Sequence, residues 1–101
     1  MSDDKIIVQG DPDLEDLIPR FLENRRNDVK TVKAATASGD FERVRIIGHS
    51  MKGAGGGYGF DTITEFGAQI EQGAMANDSV VIESAIKGLA DYLTRIEVVF
   101  D

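Results

Sequence analysis

Apolar residues recur along most of the chain at spacings of three and four, which is the periodicity of amphipathic helices. Three long stripes of this kind follow one another, and no useful stretch alternates with period two, so no strand is predicted. The apolar positions are Phe41, Val44, Ile47, Met51, Ala54 and Tyr58 in the first stripe, Phe60, Ile63, Phe66, Ile70 and Ala74 in the second, and Ile82, Ala85, Ile86, Leu89, Leu93, Ile96 and Phe100 in the third.

The region before these stripes is predicted to contain two helices. Asp11 followed by Pro12 matches a helix N-cap with proline at the first helical position, which predicts a short helix there. Pro19 should interrupt it, because proline lacks an amide hydrogen and crowds the preceding turn. A longer amphipathic helix should then run to about Ala37.

Short polar turns separate the predicted helices, at residues 38–40 and 77–78, and Ser79 is a plausible cap for the last helix. Short connections favour antiparallel neighbours. The sequence therefore predicts an all-α fold, an antiparallel up-and-down four-helix bundle with a short extra N-terminal helix. Residues 1–101 should form a single domain.

The composition restricts the class of protein. The 101 residues carry a formal net charge of −7, so phosphate groups of nucleic acid and anionic lipid should repel the chain. The absence of cysteine excludes disulfides and cysteine-ligated zinc. No stretch approaches the roughly 18 apolar residues of a membrane helix, and the start lacks the basic flank of a secretory signal. We expect a cytoplasmic protein with no nucleic-acid or membrane partner.

The chain has one histidine, His49, within the stripe from Phe41 to Tyr58. At about 100° per residue, His49 lies about 160° from the direction of that stripe, so it should be exposed in the middle of a helix. A lone exposed histidine is usually only a surface residue, but this one has unusual neighbours. The residues that share its face are Arg45, Lys52, Gly53 and Gly56.

Several glycines follow the histidine in or near the same predicted helix. Each glycine in a helix interior costs roughly 1 kcal/mol relative to alanine, so their presence requires a reason. Gly55 and Gly57 fit close helix packing or an early helix end, whereas Gly53 and Gly56 lie on the side of the histidine. The spacing matches neither nucleotide-binding glycine motif, and one histidine with scattered acids is too small a ligand set for zinc. Nucleotide and zinc sites are therefore rejected.

From His49 the chain reads His-Ser-Met-Lys-Gly, with Gly59 ten residues after the histidine. This segment resembles the signature of histidine-containing phosphotransfer (HPt) domains, and is similar to the phosphorylated first domain of chemotaxis histidine kinases. The resemblance continues through residues 66–71 to Glu71 and, with the helix lengths, covers nearly the whole chain. The chain departs from the common pattern at Gly48, where alanine is frequent, and in its glycine run at 55–57.

The resemblance implies a bundle that displays His49 for phosphorylation and has no kinase activity of its own. It implies that Glu71 accepts a hydrogen bond from Nδ1, which leaves Nε2 free to attack, and that Lys52 balances charge on the phosphoryl oxygens. The residues expected to contact the partner are Arg45, Gly53 and Gly56.

The partners implied are a response-regulator receiver domain and a hybrid sensor histidine kinase. No cofactor is expected, since any magnesium would belong to the receiver. A free-standing, monomeric carrier is the leading interpretation, and Met1 and an end just after the last helix favour it. The alternatives are a phosphoacceptor domain of a chemotaxis-type kinase, an inert helical interaction module, and an acid–base enzyme using His49 and Glu71. The last is disfavoured because His49 should lie on a convex surface.

Overall fold

The computed structural model describes residues 4–100, and four helices make up most of that part of the chain. The predicted four-helix bundle is confirmed. The helices are α1 (Ile18–Ala37), α2 (Phe41–Tyr58), α3 (Asp61–Met75) and α4 (Ser79–Arg95). Two short strands, β1 (Ile6–Gln9) and β2 (Ile96–Val99), flank the helical part, and a single 3-10 turn (Pro12–Leu14) lies between β1 and α1.

Each helix packs against two of the others, in the order α1, α2, α3, α4 and back to α1. Consecutive helices are joined by two or three residues, so they run antiparallel. The contact between α2 and α3 is by far the most extensive. This hairpin holds every residue that the sequence identified as a candidate for the functional site.

The helix ends follow local sequence chemistry. Oδ1 of Asp40 accepts a hydrogen bond from the backbone N–H of Arg43 at 3.2 Å, which caps α2 as the turn at 38–40 predicted. Gly59 ends α2 with a φ of 83°, a left-handed conformation that favours glycine. The cap of α4 is Asp78 rather than Ser79, because the Asp78 carboxylate accepts from two backbone N–H groups of the first turn.

The extra N-terminal helix is a wrong prediction. Asp11 does cap a turn, since its Oδ1 accepts from the backbone N–H of Asp13 at 2.9 Å, but that turn is only one 3-10 turn long. Pro19 does not interrupt a helix either. It lies in the first turn of α1, where the missing N–H removes no helical hydrogen bond.

The prediction that the chain contains no strand is also wrong. So is the prediction that the last apolar stripe stays helical to Phe100, because α4 ends at Arg95. The chain leaves α4 after Arg95 and forms β2, which pairs in parallel with β1 in the register Ile6↔Ile96 to Gln9↔Val99. Ile96 and Phe100 are four positions apart, and residues at this spacing share one face in a strand as well as in a helix. The β-branched residues of this segment favour the strand.

The core fills the space between the helices and extends to one face of the two-stranded ribbon. The largest fully buried side chains are Phe60, Ile18, Met51, Ile63, Ile70, Ile82, Leu89, Val32 and Val44. The Phe21 ring stacks on the Tyr58 ring at the end of α2, with 4.4 Å between their centroids. This packing stabilises the C-terminal end of α2, and the Asp40 cap stabilises its N-terminal end, so both helix ends around His49 are fixed.

Candidate functional site

The backbones of α2 and α3 touch at two glycines. A Cβ atom placed on Gly67 would stand 2.5 Å from the backbone N of Lys52, and one placed on Gly48 would stand 2.7 Å from the backbone N of Glu71. Real Cβ atoms essentially never come so close to another atom, so only glycine fits at either position. The close approach sets Glu71 beside the turn of α2 that carries His49.

His49 extends from this contact toward the surface, and its side chain is 66% exposed. Its Nδ1 lies 2.9 Å from Oε2 of Glu71, across 22 residues of sequence. The ionised carboxylate has only acceptor atoms, so this contact favours the tautomer with the hydrogen on Nδ1. Nε2, the nitrogen that is then unprotonated, has no hydrogen bond to any residue between 4 and 100.

Glu71 also contacts a cation. Nζ of Lys52 lies 2.7 Å from Oε1 of Glu71, so the two oxygens of one carboxylate serve Lys52 and His49 separately. The hydrogen bond from Lys52 lowers the pKa of Glu71, partial burial opposes this, and the hydrogen bond from His49 lowers it further. Because folding lowers this pKa, ionised Glu71 stabilises the folded protein. This contribution is complete at a pH above the pKa that Glu71 has in the unfolded chain. It is lost as the pH falls through the lower pKa that Glu71 has in the folded protein.

Arg45 lies one turn before His49 on α2 and is paired with a residue that sequence reasoning did not single out. Its Nε and Nη2 donate to the two carboxylate oxygens of Glu42, at 3.0 Å and 2.8 Å. The hydrogen bond to Arg45 lowers the pKa of Glu42, and the same bond raises the pKa of Arg45. The negative charge of Glu71 also raises the pKa of Arg45, by a smaller amount. Arg45 is therefore part of the electrostatic surroundings of the histidine.

The glycines after His49 differ in what surrounds them. A Cβ on Gly55 would stand 2.5 Å from Oγ1 of Thr64, so helix packing requires that glycine. A Cβ on Gly53 or Gly57 would meet nothing within 4 Å, and one on Gly56 would meet only Oγ1 of Thr64 at 3.8 Å. Close packing therefore explains Gly55 but not Gly57. Gly53, Gly56 and Gly57 therefore form an open strip of backbone that follows His49 along α2.

Comparison with known families identifies the family of the chain. The model of one family, described as Hpt domain, matches residues 16–98, which contain all four helices. The chain belongs to the Hpt domain family. The same comparisons found no match among curated proteins or solved structures.

Membership of this family supports a phosphotransfer role in phosphorelay signalling, in which Hpt domains interact with receiver domains and kinases. The matched residues include the whole α2–α3 hairpin. Within residues 4–100, no helix of this Hpt domain is long and apolar enough to cross a membrane.

The structure of the Hpt domain brings His49, Lys52 and Glu71 into one cluster. It places Gly53 and Gly56 after this cluster along α2, where the space outside the backbone is open. Three contributions were missed by sequence reasoning: the Glu42 carboxylate, the backbone contact through Gly48 and Gly67, and the hydroxyl of Thr64, which donates to the backbone carbonyl of Lys52 at 2.9 Å. Gly48 was visible only as a departure from the family pattern.

The cluster has the features of an activated nitrogen nucleophile. One ring nitrogen is held by a carboxylate, the other is left with its lone pair, and the ring is accessible to a large partner. A positive charge that develops on the ring during attack would be stabilised by the Glu71 carboxylate. Because the imidazole is exposed rather than enclosed, a partner must supply the remainder of any reaction site.

Glu71→Ala should slow phosphotransfer without abolishing it, because the Glu71 carboxylate contacts Nδ1 and leaves the lone pair of Nε2 free. We expect a ten- to hundred-fold lower rate, less than the roughly 10²–10³-fold loss of one assisting group in a water-excluded site, because His49 is exposed to solvent. The ¹⁵N NMR spectrum of the imidazole should change from one tautomer, with hydrogen on Nδ1, to a mixture. Glu65→Ala, at an exposed position of the same helix, is the control. Unchanged rate and tautomer in Glu71→Ala would remove Glu71 from the site.

Proposed function

We propose that the protein is a phosphorelay carrier, in which His49 accepts a phosphoryl group on Nε2 and passes it to an aspartate of a receiver domain. The donor would be a hybrid sensor histidine kinase, and the acceptor a response regulator. The observation that supports this most strongly is the 2.9 Å contact of Nδ1 with Glu71 on an exposed histidine, within a chain of the Hpt domain family.

The proposed reaction begins with attack of the Nε2 lone pair on the phosphorus of an aspartyl phosphate. The new N–P bond forms as the P–O bond to the donor aspartate breaks, and that aspartate leaves as a carboxylate. The ring becomes cationic as its second nitrogen is substituted, and Glu71 stabilises this charge through Nδ1–H. Transfer to the next receiver is the reverse of these steps with a different aspartate.

Lys52 is proposed to supply positive charge beside the phosphoryl group. Its ammonium is already 2.7 Å from Oε1 of Glu71, and its side chain is 40% exposed. A lysine ammonium has three donors, so it can contact a phosphoryl oxygen and the carboxylate together. In this proposal Lys52 assists the reaction by its charge and also holds Glu71 in place.

The receiver is proposed to bind the face of α2 that carries His49. On this face lie Arg45, Gly53 and Gly56. The open space above Gly53 and Gly56 supports this proposal, because neither packing nor a left-handed φ explains a glycine at either position. A partner able to approach the bare backbone would bring its aspartate close to Nε2. In this proposal the receiver contributes any magnesium that the transfer requires.

A carrier requires a phosphorylated partner, and this gives the test of the proposal. Kinases hold ATP with a glycine-rich loop, a lysine and metal-binding acids in a cleft, whereas the glycine-rich part of this chain follows Lys52 within and just after α2. With labelled ATP and magnesium alone, the purified protein should stay unlabelled. Adding its hybrid sensor kinase should give one phosphoryl group per chain. Stoichiometric labelling by ATP alone would contradict the carrier function.

A further inference from the structure

Two cations flank His49 on α2, and each is already paired with a carboxylate. Lys52, about one turn after the histidine, contacts Glu71. Arg45, one turn before it, makes two hydrogen bonds to Glu42. The unphosphorylated surface is therefore balanced in charge around the histidine. A phosphoryl group on Nε2 would add about one to two negative charges, which Lys52 would neutralise only in part because it is also paired with Glu71.

The two ion pairs differ in how easily they can be broken. Glu71 is only 13% exposed and also holds His49, so removing Lys52 from it would disturb the orientation of the ring. Arg45 and Glu42 are 38% and 68% exposed, and their contact holds no third side chain among residues 4–100. Exposed ion pairs contribute little to stability, because water solvates the separated charges well. Arg45 is therefore the cation that can move at the lower cost.

We propose that Arg45 is a second cation for the phosphoryl group on His49, and that Glu42 restrains it until that group arrives. The inference rests on the proposed function, because it requires a phosphorylated His49. A phosphoryl group carries more charge than a carboxylate and offers three acceptor oxygens in a geometry that the guanidinium fork fits. Arg45 should therefore exchange Glu42 for the phosphoryl oxygens, with no covalent change.

This exchange assigns opposite effects to the two residues. Arg45 favours phosphorylated His49 by neutralising its charge. Glu42 disfavours it, because its hydrogen bonds to Arg45 must be broken first. Since Glu42 acts only through Arg45, removing both side chains should give the same result as removing Arg45 alone. Such non-additivity would not arise if the two residues acted independently.

The equilibrium ratio of phosphorylated Hpt domain to phosphorylated receiver tests this. Arg45→Gln should shift the ratio toward the receiver by about three- to tenfold, the order of magnitude of one charge-assisted contact at an exposed site. Glu42→Gln should shift it the other way, and the double variant should match Arg45→Gln. Arg43→Gln is the control, because Arg43 is exposed on the same helix and its side chain forms no ion pair within residues 4–100. Equal ratios in wild type and Arg45→Gln would overturn the inference.

A second measurement observes the exchange directly. When wild-type protein is phosphorylated by phosphoramidate, a small donor that needs no partner, the ¹⁵N–¹H resonance of Arg45 Nε should shift strongly, and that of Arg43 should not. If His49 is phosphorylated and the Arg45 resonance stays in place, the inference fails and the carrier function stands. If neither phosphoramidate nor a phosphorylated receiver phosphorylates His49, both fail.

Discussion

Replacing His49 with glutamine should abolish phosphorylation and leave the fold intact. His49 is the only histidine of the chain and its side chain is 66% exposed, so the substitution removes the proposed nucleophile without creating a cavity. The helical circular dichroism signal and the melting temperature should stay close to those of the wild type. Label incorporated from a phosphorylated receiver should fall to the background.

Ser50→Ala is the matched control for this substitution. Ser50 is the next residue on α2, is exposed, and carries a hydroxyl that could in principle accept a phosphoryl group. Its alanine variant should be labelled as fast as the wild type. A His49→Gln protein that still accepts a phosphoryl group to full stoichiometry would remove the histidine from the account.

Gly67→Ala should destabilise the bundle strongly for the addition of a single methyl group. The new Cβ would stand 2.5 Å from the backbone N of Lys52 and 2.9 Å from the carbonyl O of Gly48, both of which belong to helical backbone that cannot move alone. Overpacking of this kind costs about 1–3 kcal/mol. Each kcal/mol lowers the melting temperature of a domain of this size by roughly 4–8 °C. The forced separation of α2 and α3 should also move Glu71 away from His49.

The matched control for Gly67→Ala is Gly57→Ala. A methyl group on Gly57 would meet nothing within 4 Å, and alanine is the better helix former by roughly 1 kcal/mol, so this variant should melt higher than the wild type. Thermal unfolding measures both. The imidazole tautomer of His49 should become mixed in Gly67→Ala only. Wild-type stability in Gly67→Ala would show that the two helices are not in backbone contact there.

Much of the α2–α3 hairpin could be predicted from the sequence. The apolar stripe from Phe41 to Tyr58 begins and ends at the same residues as α2. It could be read from the sequence because helical periodicity is a local property of the chain. The same wheel placed His49 on the exposed side. The position of Glu71 beside His49 needed more than periodicity. It came from the family resemblance, because no local rule relates residues 22 positions apart.

The two strands could not be predicted for a different physical reason. Each is only four residues long, and the pairing of Ile6 with Ile96 joins residues from opposite ends of the chain. An apolar spacing of four, as from Ile96 to Phe100, fits both a helix and a strand. What decides between them is whether a partner strand is present, and that is a tertiary property. Pro19 was misread similarly, since its effect depends on whether a helix begins or continues there.

The details of the site depend on contacts that composition does not specify. The pair of Arg45 and Glu42 is an exception, because residues three apart on a predicted helix are neighbours and this spacing was visible in the sequence. Gly48 and Gly67 are single glycines within long helices, and such glycines are usually just poor helix formers. Their role appears only when the two helix backbones are seen to touch. The fold therefore sets the geometry of the site through residues that have no reactive group.

The most direct test of the central claim is to identify the phosphorylated residue of the wild-type protein and to follow its phosphoryl group. The protein is labelled by a phosphorylated partner, separated from it, and analysed by mass spectrometry before and after addition of an unphosphorylated receiver. We predict one phosphoryl group on His49, labile in acid and stable in alkali, that moves to the aspartate of the receiver. A label on any other residue, or a label on His49 that no receiver removes, would contradict the account.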